Sequence, residues 1–222
     1  MKTAIGILTH ARPEKFQRAL WSAIYQEPDA IYVCFAGQRY ELTEKLNESF
    51  EEIEGYGPWI GRSRASIANH AFRDGCHALI ELDDDDVMLN GAYERMKGAL
   101  GRVDVVYGDF VVHTDHEQKT IEKPEYERGL FKSGCHSNGV RGYTIAAYLR
   151  AGKHNKFLKL CSDFDLFLRF DMDEDTELLR VPDGPLAVVG VEGDNLSVEQ
   201  WPEQMSVGQA LVRAYYPEEV KA

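Results

Sequence analysis

"HALIELDDDDVML", residues 77–89, places an apolar run directly before four adjacent aspartates, and apolar residues resume directly after them. Two like charges about 6 Å apart repel each other by roughly 0.7 kcal/mol in water, and by about 3 kcal/mol at an effective dielectric near 20. A folded chain therefore needs a compensating charge at this place. We predict a buried strand over 76–83, with the four aspartates (83–86) where that strand reaches the surface.

Strand and helix patterns alternate along the first half of the sequence. Short apolar runs predict buried strands, and apolar residues at helical spacing predict helices between them. The predicted elements are a strand at 3–9, a helix at 12–26, a strand at 30–37, an acidic helix at 40–55, a helix within 57–75, a strand at 76–83, a helix at 90–100 and a strand at 103–114. Such alternation predicts an α/β fold with a mainly parallel central sheet flanked by helices, in which ligands lie at the carboxyl ends of the strands.

The second half is less regular. The polar stretch 115–129 predicts a loop or a hairpin, and a short helix is expected around Ile145 to Arg150. A helix, a turn and a strand are expected within 162–197, followed by a terminal helix that ends near Pro217. The sequence has no internal repeat and no obvious linker, so we predict a single domain over 1–222.

Composition and charge limit the classes of function. The chain has 222 residues and a formal net charge of -12, which makes it a poor candidate for nonspecific binding to long nucleic acid. Its four cysteines are widely spaced without a CxxC pair, so no zinc site is expected. The apolar stretch near the N-terminus is too short for a signal peptide, and no run is long enough to span a membrane. We therefore expect a soluble, cytoplasmic protein.

The aspartate run suggests a cation site. Side chains alternate between the two faces of an extended segment, so Asp83 and Asp85 are expected on one side, and Asp84 and Asp86 on the other. Carboxylates at positions i and i+2 can hold Mg²⁺ or Mn²⁺, which prefer oxygen ligands. The alternative is a solvated acidic turn before the next helix, since aspartate is favoured near a helix N-terminus.

Five segments, in this order, resemble GT-A fold glycosyltransferases, most closely the inverting family 2 group. They are "IGILTHARPEKFQRALWSAIYQ" (5–26, with Thr9, Arg12, Pro13 and Gln26), "GRSRASIANHAFRDGCHALIELDDDD" (61–86), "VDVVYGDF" (103–110), "CSDFDLFLRF" (161–170) and "VEGDNLS" (191–197). The second segment is similar to an arginine-bearing helix that leads into the strand and DxD motif, and the fourth is similar to the family's acidic motif.

This resemblance implies a GT-A-type, Rossmann-like fold in which 1–114 binds a nucleotide-diphosphate sugar and 115–222 binds the acceptor. It implies a metal-dependent inverting glycosyltransferase that moves a sugar to an acceptor hydroxyl, with Asp163 as the catalytic base. The other implied residues are Thr9, Arg12, Arg64, Asp83 and Asp84 for the nucleotide sugar, Asp85, Asp86 and Glu192 for Mn²⁺ or Mg²⁺, and His136 and Asn138 for the acceptor.

Two positions depart from the family pattern. The family usually carries an aspartate pair after its second strand, and one of the two recognises the nucleotide base; Phe35 and Ala36 occupy those places here. A late histidine position is occupied by Glu192, with Asp194 nearby. A carboxylate can still bind Mg²⁺ or Mn²⁺, so the second departure leaves metal binding intact, whereas the first leaves the donor nucleotide open.

Several of these residues also have structural interpretations. Asp163 could be a helix N-cap, Arg64 a surface arginine and His136 a structural histidine. Trp59 could stack on a base or a sugar, although a role as a core or loop anchor is favoured. Arg141 could contact a phosphate. These alternatives stay open at the level of the sequence.

Two other classes of function stay open as well. A nucleotidyltransferase on a similar sheet would also use carboxylates at strand ends, but "LTHARPEK" lacks the glycine-rich phosphate loop that such enzymes usually carry. A non-catalytic module that binds nucleotide sugars would be consistent with the missing base-recognition aspartates. The acceptor (a saccharide, a lipid-linked sugar, a protein or a modified nucleic-acid base) and the oligomeric state stay open.

Overall fold

A computed structural model describes residues 1–10, 12–37, 39–42, 44–57, 59–113, 117–190 and 201–216. The strands are β1 (Thr3–Thr9), β2 (Ala30–Phe35), β3 (Glu51–Ile53), β4 (Ala78–Asp83), β5 (Asp86–Met88), β6 (Val105–Tyr107), β7 (Phe110–His113), β8 (Gln118–Ile121), β9 (Arg141–Thr144), β10 (Leu178–Arg180) and β11 (Ala187–Gly190). The helices are α1 (Pro13–Ile24), α2 (Glu44–Asn47), α3 (Ile60–Arg73), α4 (Ala92–Leu100), α5 (Ile145–Arg150), α6 (Ser162–Met172) and α7 (Trp201–Tyr215), with a 3₁₀ helix at Leu130–Ser133.

The main sheet confirms the predicted α/β fold. In the described part of the chain it has seven strands in the order β10-β6-β9-β4-β1-β2-β3. β1 pairs in parallel with both β2 and β4, whereas β9 runs antiparallel between β4 and β6. The carboxyl ends of β1, β2 and β4 therefore lie side by side at one edge of the sheet. β9 and β10 come from the second half of the sequence, so the predicted donor half and acceptor half share one sheet.

The alternation of side chains along the buried strands builds a core on each face of the sheet. Ile5 and Ile7 of β1 belong to one apolar cluster, together with Phe16 of α1 and Met96 of α4. The neighbouring Ala4 belongs to a second cluster, together with side chains of α3 and α6. Because both faces of β1 are covered, the strand appears in the sequence as a continuous apolar run.

A second, smaller sheet lies beside the carboxyl end of β4, and its strand order is β5-β11-β7-β8. The predicted single strand at 103–114 is therefore wrong in one respect, because it is divided into β6 in the main sheet and β7 in the small sheet. The break falls at Gly108, where an added Cβ would lie 2.5 Å from the side chain of Leu186. β8 lies within the polar stretch 115–129, for which a loop or a hairpin was expected, and it pairs antiparallel with β7, which precedes that stretch.

The predicted helix at 40–55 is wrong. Of the residues that the structure describes in this range, only those of α2 are helical, and β3 extends the main sheet by pairing in parallel with β2. Ile53 is buried opposite Cys34, and Gly55 lies so close to β2 that an added Cβ would be 1.7 Å from the carbonyl oxygen of Phe35. Pairing with a distant strand outweighs the local helical pattern, while the exposed glutamates of β3 suit the edge of a sheet.

The remaining predicted elements are close to those observed. β1 and α5 have the predicted bounds, and α1, α3 and α4 lie within their predicted ranges. One strand was predicted after α6, but two are found, β10 and β11, in different sheets. No helix among the described residues is both long and apolar enough to cross a membrane.

Asp109 fixes the break between the two sheets. Its buried carboxylate accepts hydrogen bonds from Nε of Arg180 (2.8 Å) and from the backbone N–H of Lys123 (2.7 Å). Burial alone would raise the pKa of Asp109, but the hydrogen bond from Arg180 outweighs burial and lowers that pKa below its usual value. The ionised form is therefore the form that stabilises the fold.

We predict that Asp109→Asn lowers the free energy of unfolding by about 2 kcal/mol at pH 7, since it removes charge-assisted hydrogen bonds. The pKa of Asp109 is lower in the folded state than its unfolded value of about 3.9. The ionised carboxylate therefore stabilises the fold at pH values above the unfolded pKa, and this stabilisation is lost as the pH falls through the folded-state pKa. The difference between wild type and variant should thus shrink below about pH 4. Urea unfolding at several pH values measures this difference in the free energy of unfolding. Glu127→Gln, a substitution at an exposed residue, is the control. A difference that grows as the pH falls would contradict this interpretation.

Candidate functional site

A cavity of about 870 Å³ opens at the carboxyl ends of β1, β2 and β4. The first turns of α3 and α6 form part of its wall, and α7 closes another side. Its charged and histidine lining residues are His10, Arg12, Arg64, Asp83, Asp84, Asp85, Lys132, Lys159, Asp163, Glu203 and Arg213. The structure therefore brings most of the predicted donor residues and the predicted base to one cavity.

The aspartate run is a turn between two strands, so the expected alternation of its side chains is wrong. β4 ends at Asp83 and β5 begins at Asp86, which belongs to the other sheet. Asp84 and Asp85, expected on opposite sides, both bind Arg12: Asp84 through a short ion pair and Asp85 at 2.9 Å. Asp84 is 1% exposed and also accepts a hydrogen bond from the backbone N–H of His10 at 3.1 Å. Asp84 thus holds Arg12 and the end of β1 in place.

Asp83 is paired with two arginines. Its carboxylate accepts hydrogen bonds from Arg64 at 2.7 Å and from Arg141 at 3.1 and 3.2 Å. Burial would raise the pKa of Asp83, but the two guanidinium groups, Arg141 first, outweigh burial and lower it below its usual value. Asp83 is therefore a fixed negative charge at the floor of the cavity.

The same arginines bind Glu81, two residues earlier on β4. Glu81 is 5% exposed and accepts hydrogen bonds from Arg64 (2.6 Å), Arg141 (3.0 Å), the hydroxyl of Tyr143 (2.9 Å) and His154 (2.8 Å). Burial would raise the pKa of Glu81, but Arg64 and His154 lead the charges that lower it well below its usual value. No motif predicted this cluster from the sequence; its one signal there is a glutamate inside the apolar run of β4.

The environments of Arg64 and Arg141 differ from the alternatives that the sequence left open. Arg64 is buried on α3 and lines the cavity, so it is not a surface arginine. The side chain of Arg141 is fully buried, and it also donates to the carbonyl of Gly139 at 2.9 Å. Its guanidinium lies 3.8 Å from the carboxylate of Asp163. Arg141 thus ties the end of β4 to the start of α6, and the expected contact with a phosphate is wrong because no part of its side chain is accessible.

Asp163 lies in the first turn of α6 and lines the cavity, with 22% of its side chain exposed. The position before α6 is occupied by Cys161, with φ 57, and no side chain caps the helix by a hydrogen bond. The N-cap alternative for Asp163 is therefore wrong. Asp165, also in the first turn of α6, is fully buried and accepts hydrogen bonds from Arg169 and from the hydroxyl of Tyr215, which attaches α7 to α6.

The surroundings of Asp85 and Asp86 disfavour the ionised form of both carboxyl groups. Burial and the charges of Asp83 and Asp84 raise the pKa of Asp85 to about 6, although Arg12 opposes the shift. Asp86 is 3% exposed, and burial, followed by Asp83 and Asp85, raises its pKa well above the usual value. Asp85 lines the cavity, whereas Asp86 is not among its lining residues.

Asp85 fits a divalent cation whose coordination shell is completed by a bound ligand. Among the described residues no group of three His, Cys, Asp or Glu side chains could enclose a metal. Mg²⁺ commonly binds through one or two carboxylates together with substrate phosphates and water, and Asp85, facing the cavity with a raised pKa, matches that arrangement. Glu192 and Asp194 lie outside the described residues.

Of Thr9, Asn138 and His136, which were predicted to bind the donor or the acceptor, only Asn138 lines the cavity. Thr9 is buried, and its hydroxyl shares a 2.5 Å hydrogen bond with the hydroxyl of Tyr40, so its side chain faces the protein. Asn138 lines the cavity and accepts a short hydrogen bond from Lys123. His136 shares a 3.1 Å hydrogen bond with Ser133 and does not line the cavity.

The end of β2 presents an apolar wall. Phe35 is buried against Phe16 and Tyr40, with ring centroids 5.5 and 5.4 Å apart, and the next residue, Ala36, lines the cavity. Trp59 is 37% exposed at the start of α3, and the ammonium group of Lys159 lies 4.9 Å from the centre of its ring. Neither Phe35 nor Trp59 lines the cavity.

Solved structures share this fold. TarS 1–349 of S. aureus in complex with UDP-GlcNAc is similar with a TM-score of 0.75 and 12% identity, covering 97% of this chain and 66% of that chain. The mannosyltransferase PcManGT of Pyrobaculum calidifontis, in complex with GDP-Man and Mn²⁺, has a TM-score of 0.62 and 11% identity, covering 96% and 63%. GalNAc-T7 with UDP, GalNAc and Mn²⁺ has a TM-score of 0.59 and 14% identity, covering 86% and 43%.

All three are glycosyltransferases of GT-A-like fold. No protein-family model matches the sequence, and no curated protein does. This chain spans 66% or less of the length of these three structures, and at 11–14% identity the likeness shows the fold. The fold is of the GT-A type, with a central, mostly parallel sheet flanked by helices.

We predict that Tyr143→Phe lowers the free energy of unfolding by about 1–3 kcal/mol, since it keeps the buried ring but removes one of the donors to Glu81. Denaturant unfolding measures the change. The matched control is Tyr25→Phe, whose ring is 78% exposed and should change stability little. Equal effects of the two substitutions would contradict the importance of the Glu81 cluster.

Proposed function

We propose that this protein is a metal-dependent, inverting glycosyltransferase that moves a sugar from a nucleotide-diphosphate sugar to an acceptor hydroxyl. The observation that carries the proposal is the cavity that holds both Asp85, after β4, and Asp163, at the start of α6. A donor whose diphosphate lies near Asp85 would present its anomeric carbon towards Asp163. The GT-A-type fold supports this assignment, and so do the nucleotide or nucleotide sugar and Mn²⁺ in similar structures.

The donor would occupy the ends of β1, β2 and β4. Ala36, Leu8 and Ile60 give that part of the cavity an apolar surface for a base. Phe35 and Ala36 occupy the positions at which the family that the sequence resembles carries an aspartate pair. In this proposal, therefore, no carboxylate at these positions recognises the base. Arg12 lies beside Asp84 and Asp85, where it supplies positive charge next to the expected diphosphate position.

Asp85 would hold the cation, with Glu192 as a second candidate ligand. When bound, Mg²⁺ or Mn²⁺ offsets the charge that develops on the leaving diphosphate. Arg12 binds both Asp84 and Asp85, and this keeps the turn between β4 and β5 in one arrangement. Asp83 and Asp84 contribute by positioning, because Asp83 binds two arginines and Asp84 is buried and binds both Arg12 and the backbone N–H of His10.

Asp163 would accept the proton of the acceptor hydroxyl as its oxygen attacks the anomeric carbon. One displacement with the nucleoside diphosphate as leaving group inverts the anomeric configuration. Asn138 and Cys135 line the cavity together with Asp163, so we assign the acceptor to that side. Arg141 holds the carboxylate of Asp163 towards the cavity from a fully buried position.

The first test is the release of nucleoside diphosphate from sugar nucleotides. Asp163→Asn should lower kcat by about 10²–10⁴-fold with little change in donor KM, since it removes a general base. Asp175→Asn, an exposed residue of the same region, is the matched control and should keep wild-type kcat. Wild-type kcat in the Asp163 variant would contradict the role of Asp163.

The second test is metal dependence. Excess chelator should abolish turnover, and added Mn²⁺ or Mg²⁺ should restore it. Asp85→Asn should lower activity by more than about a hundredfold at low Mn²⁺, because several kcal/mol of charge stabilisation are lost. The exposed Glu94→Gln on α4 serves as the control. Full activity in excess chelator would exclude the metal-dependent mechanism.

Product analysis separates the other two classes of function. A nucleotidyltransferase would release pyrophosphate from a nucleoside triphosphate, whereas the proposed reaction releases a nucleoside diphosphate from a sugar nucleotide. A non-catalytic module would bind a sugar nucleotide with Mn²⁺ in titration calorimetry and leave it intact. Either of these results would replace the transferase assignment.

A further inference from the structure

His154 lies beneath the cavity, between β4 and the start of α6, and it is 2% exposed. Its Nε2 lies 2.8 Å from a carboxylate oxygen of Glu81, and its Nδ1 lies 3.4 Å from the backbone carbonyl oxygen of Ser162. Ser162 directly precedes Asp163. A single imidazole ring therefore connects the buried carboxylate of β4 to the residue before the proposed base.

Both ring nitrogens of His154 face hydrogen-bond acceptors. A neutral imidazole carries one N–H and one lone pair, so it can satisfy only one of these two acceptors, whereas an imidazolium donates from both nitrogens. The hydroxyl of Tyr143, 3.2 Å from Nε2, donates its own hydrogen to Glu81 and therefore faces His154 as an acceptor too. The imidazolium is therefore the state of the ring that can donate towards both Glu81 and Ser162.

The charges around the ring favour the same state. Glu81, Asp83 and Asp163 supply three carboxylates, and Arg64 and Arg141 supply two guanidinium groups that bind them. An imidazolium provides a third positive charge next to these three carboxylates. Glu81, the carboxylate that the ring contacts directly, is buried, and a charged partner stabilises a buried carboxylate more than a neutral one does.

The elements packed around His154 also bring a charged pair close to its backbone: Arg169 of α6 donates to the carbonyl of Lys153, the residue before His154, at 2.6 Å and is paired with Asp165. β4 presents Glu81, β9 presents Tyr143, and α5 presents Tyr148, whose hydroxyl accepts from the backbone N–H of His154 at 3.3 Å. α6 presents the carbonyl of Ser162. Arg64 of α3 and Arg141 of β9 bind the other carboxylate oxygen of Glu81.

We propose that His154 is a positioning residue, a buried imidazolium whose Nδ1–H holds the carbonyl of Ser162 and thereby fixes the first turn of α6 and the carboxylate of Asp163. α6 needs such an anchor because it begins after a left-handed Cys161 without a side-chain cap. The effect on catalysis rests on the proposed function of Asp163, whereas the protonation state and the anchoring of α6 do not.

The protonation state is tested by histidine-selective ¹⁵N NMR on the full chain at pH 7, with the His154 signal assigned by its loss in a variant. We expect both nitrogens to show the chemical shifts of protonated nitrogens. A single protonated nitrogen at pH 7 would overturn the proposal. The protonation state is read from the native protein, a variant serving only to assign the signal, so the result does not depend on any enzymatic activity.

The anchoring is tested with two substitutions that each keep half of the ring's contacts. The amide of Asn reaches about as far as Nδ1, so His154→Asn can still donate to Ser162, whereas the longer Gln reaches towards Glu81 and leaves Ser162 without a donor. Hydrogen exchange of the Asp165 amide, which donates to Cys161 within the first turn of α6, should accelerate more in His154→Gln than in His154→Asn. The Arg95 amide of α4, which donates to Gly91, is the control and should not change.

Equal acceleration at Asp165 in the two variants, or none in either, would overturn the anchoring. In the transfer assay, kcat should fall at least tenfold in His154→Gln with donor KM unchanged, and His154→Asn should recover part of it. His70→Gln, on the last turn of α3, should match wild type. If wild type itself releases no nucleoside diphosphate, the proposed function fails, while the NMR and exchange results still decide the role of His154.

Discussion

The structure depends most on the burial of one carboxylate, Glu81, in the middle of β4. A buried charge is tolerated only when its oxygens are fully hydrogen-bonded, and Glu81 obtains its donors from Arg64, Arg141, Tyr143 and His154. These donors come from α3, from β9 and from the loop before α6. The requirement to pair one charge thus fixes three separate parts of the chain around the strand that ends in the aspartate run.

The same pairing explains how four adjacent aspartates can lie where a buried strand surfaces. Asp83 shares two arginines with Glu81, and the turn that follows gives Asp84 and Asp85 a third arginine, Arg12. The aspartates are therefore not equivalent: two are structural ion pairs, and Asp85 retains a raised pKa and faces the cavity. Arginines of the protein compensate most of the charge repulsion expected from the sequence. The repulsion that remains acts on Asp85, where a cation would serve the proposed reaction.

Local patterns were sufficient to predict the elements that local forces determine. β1 is covered on both faces and α5 begins with a threonine whose side chain caps it, and both appear in the sequence with their observed bounds. The region 40–55 was mispredicted because β3 forms by pairing with β2, an interaction that no local pattern encodes. The orientations of Asp84 and Asp85 were mispredicted because a turn begins directly after Asp83. The link from Glu81 to His154 spans 73 positions, so the sequence could indicate Asp163 by resemblance but not the network that supports it.

The GT-A-type fold places Asp85 and Asp163 in one cavity, and the central claim is that this cavity binds a nucleotide-diphosphate sugar with a divalent cation. The most direct measurement is a thermal-shift screen of UDP-, GDP-, CDP- and TDP-sugars, each with and without Mn²⁺. Because a ligand that binds only the folded state raises Tm by mass action, one nucleotide class should raise Tm with Mn²⁺, and the rise should be lost in Asp85→Asn. No rise in Tm with any of these donors in the presence of Mn²⁺ would contradict the account.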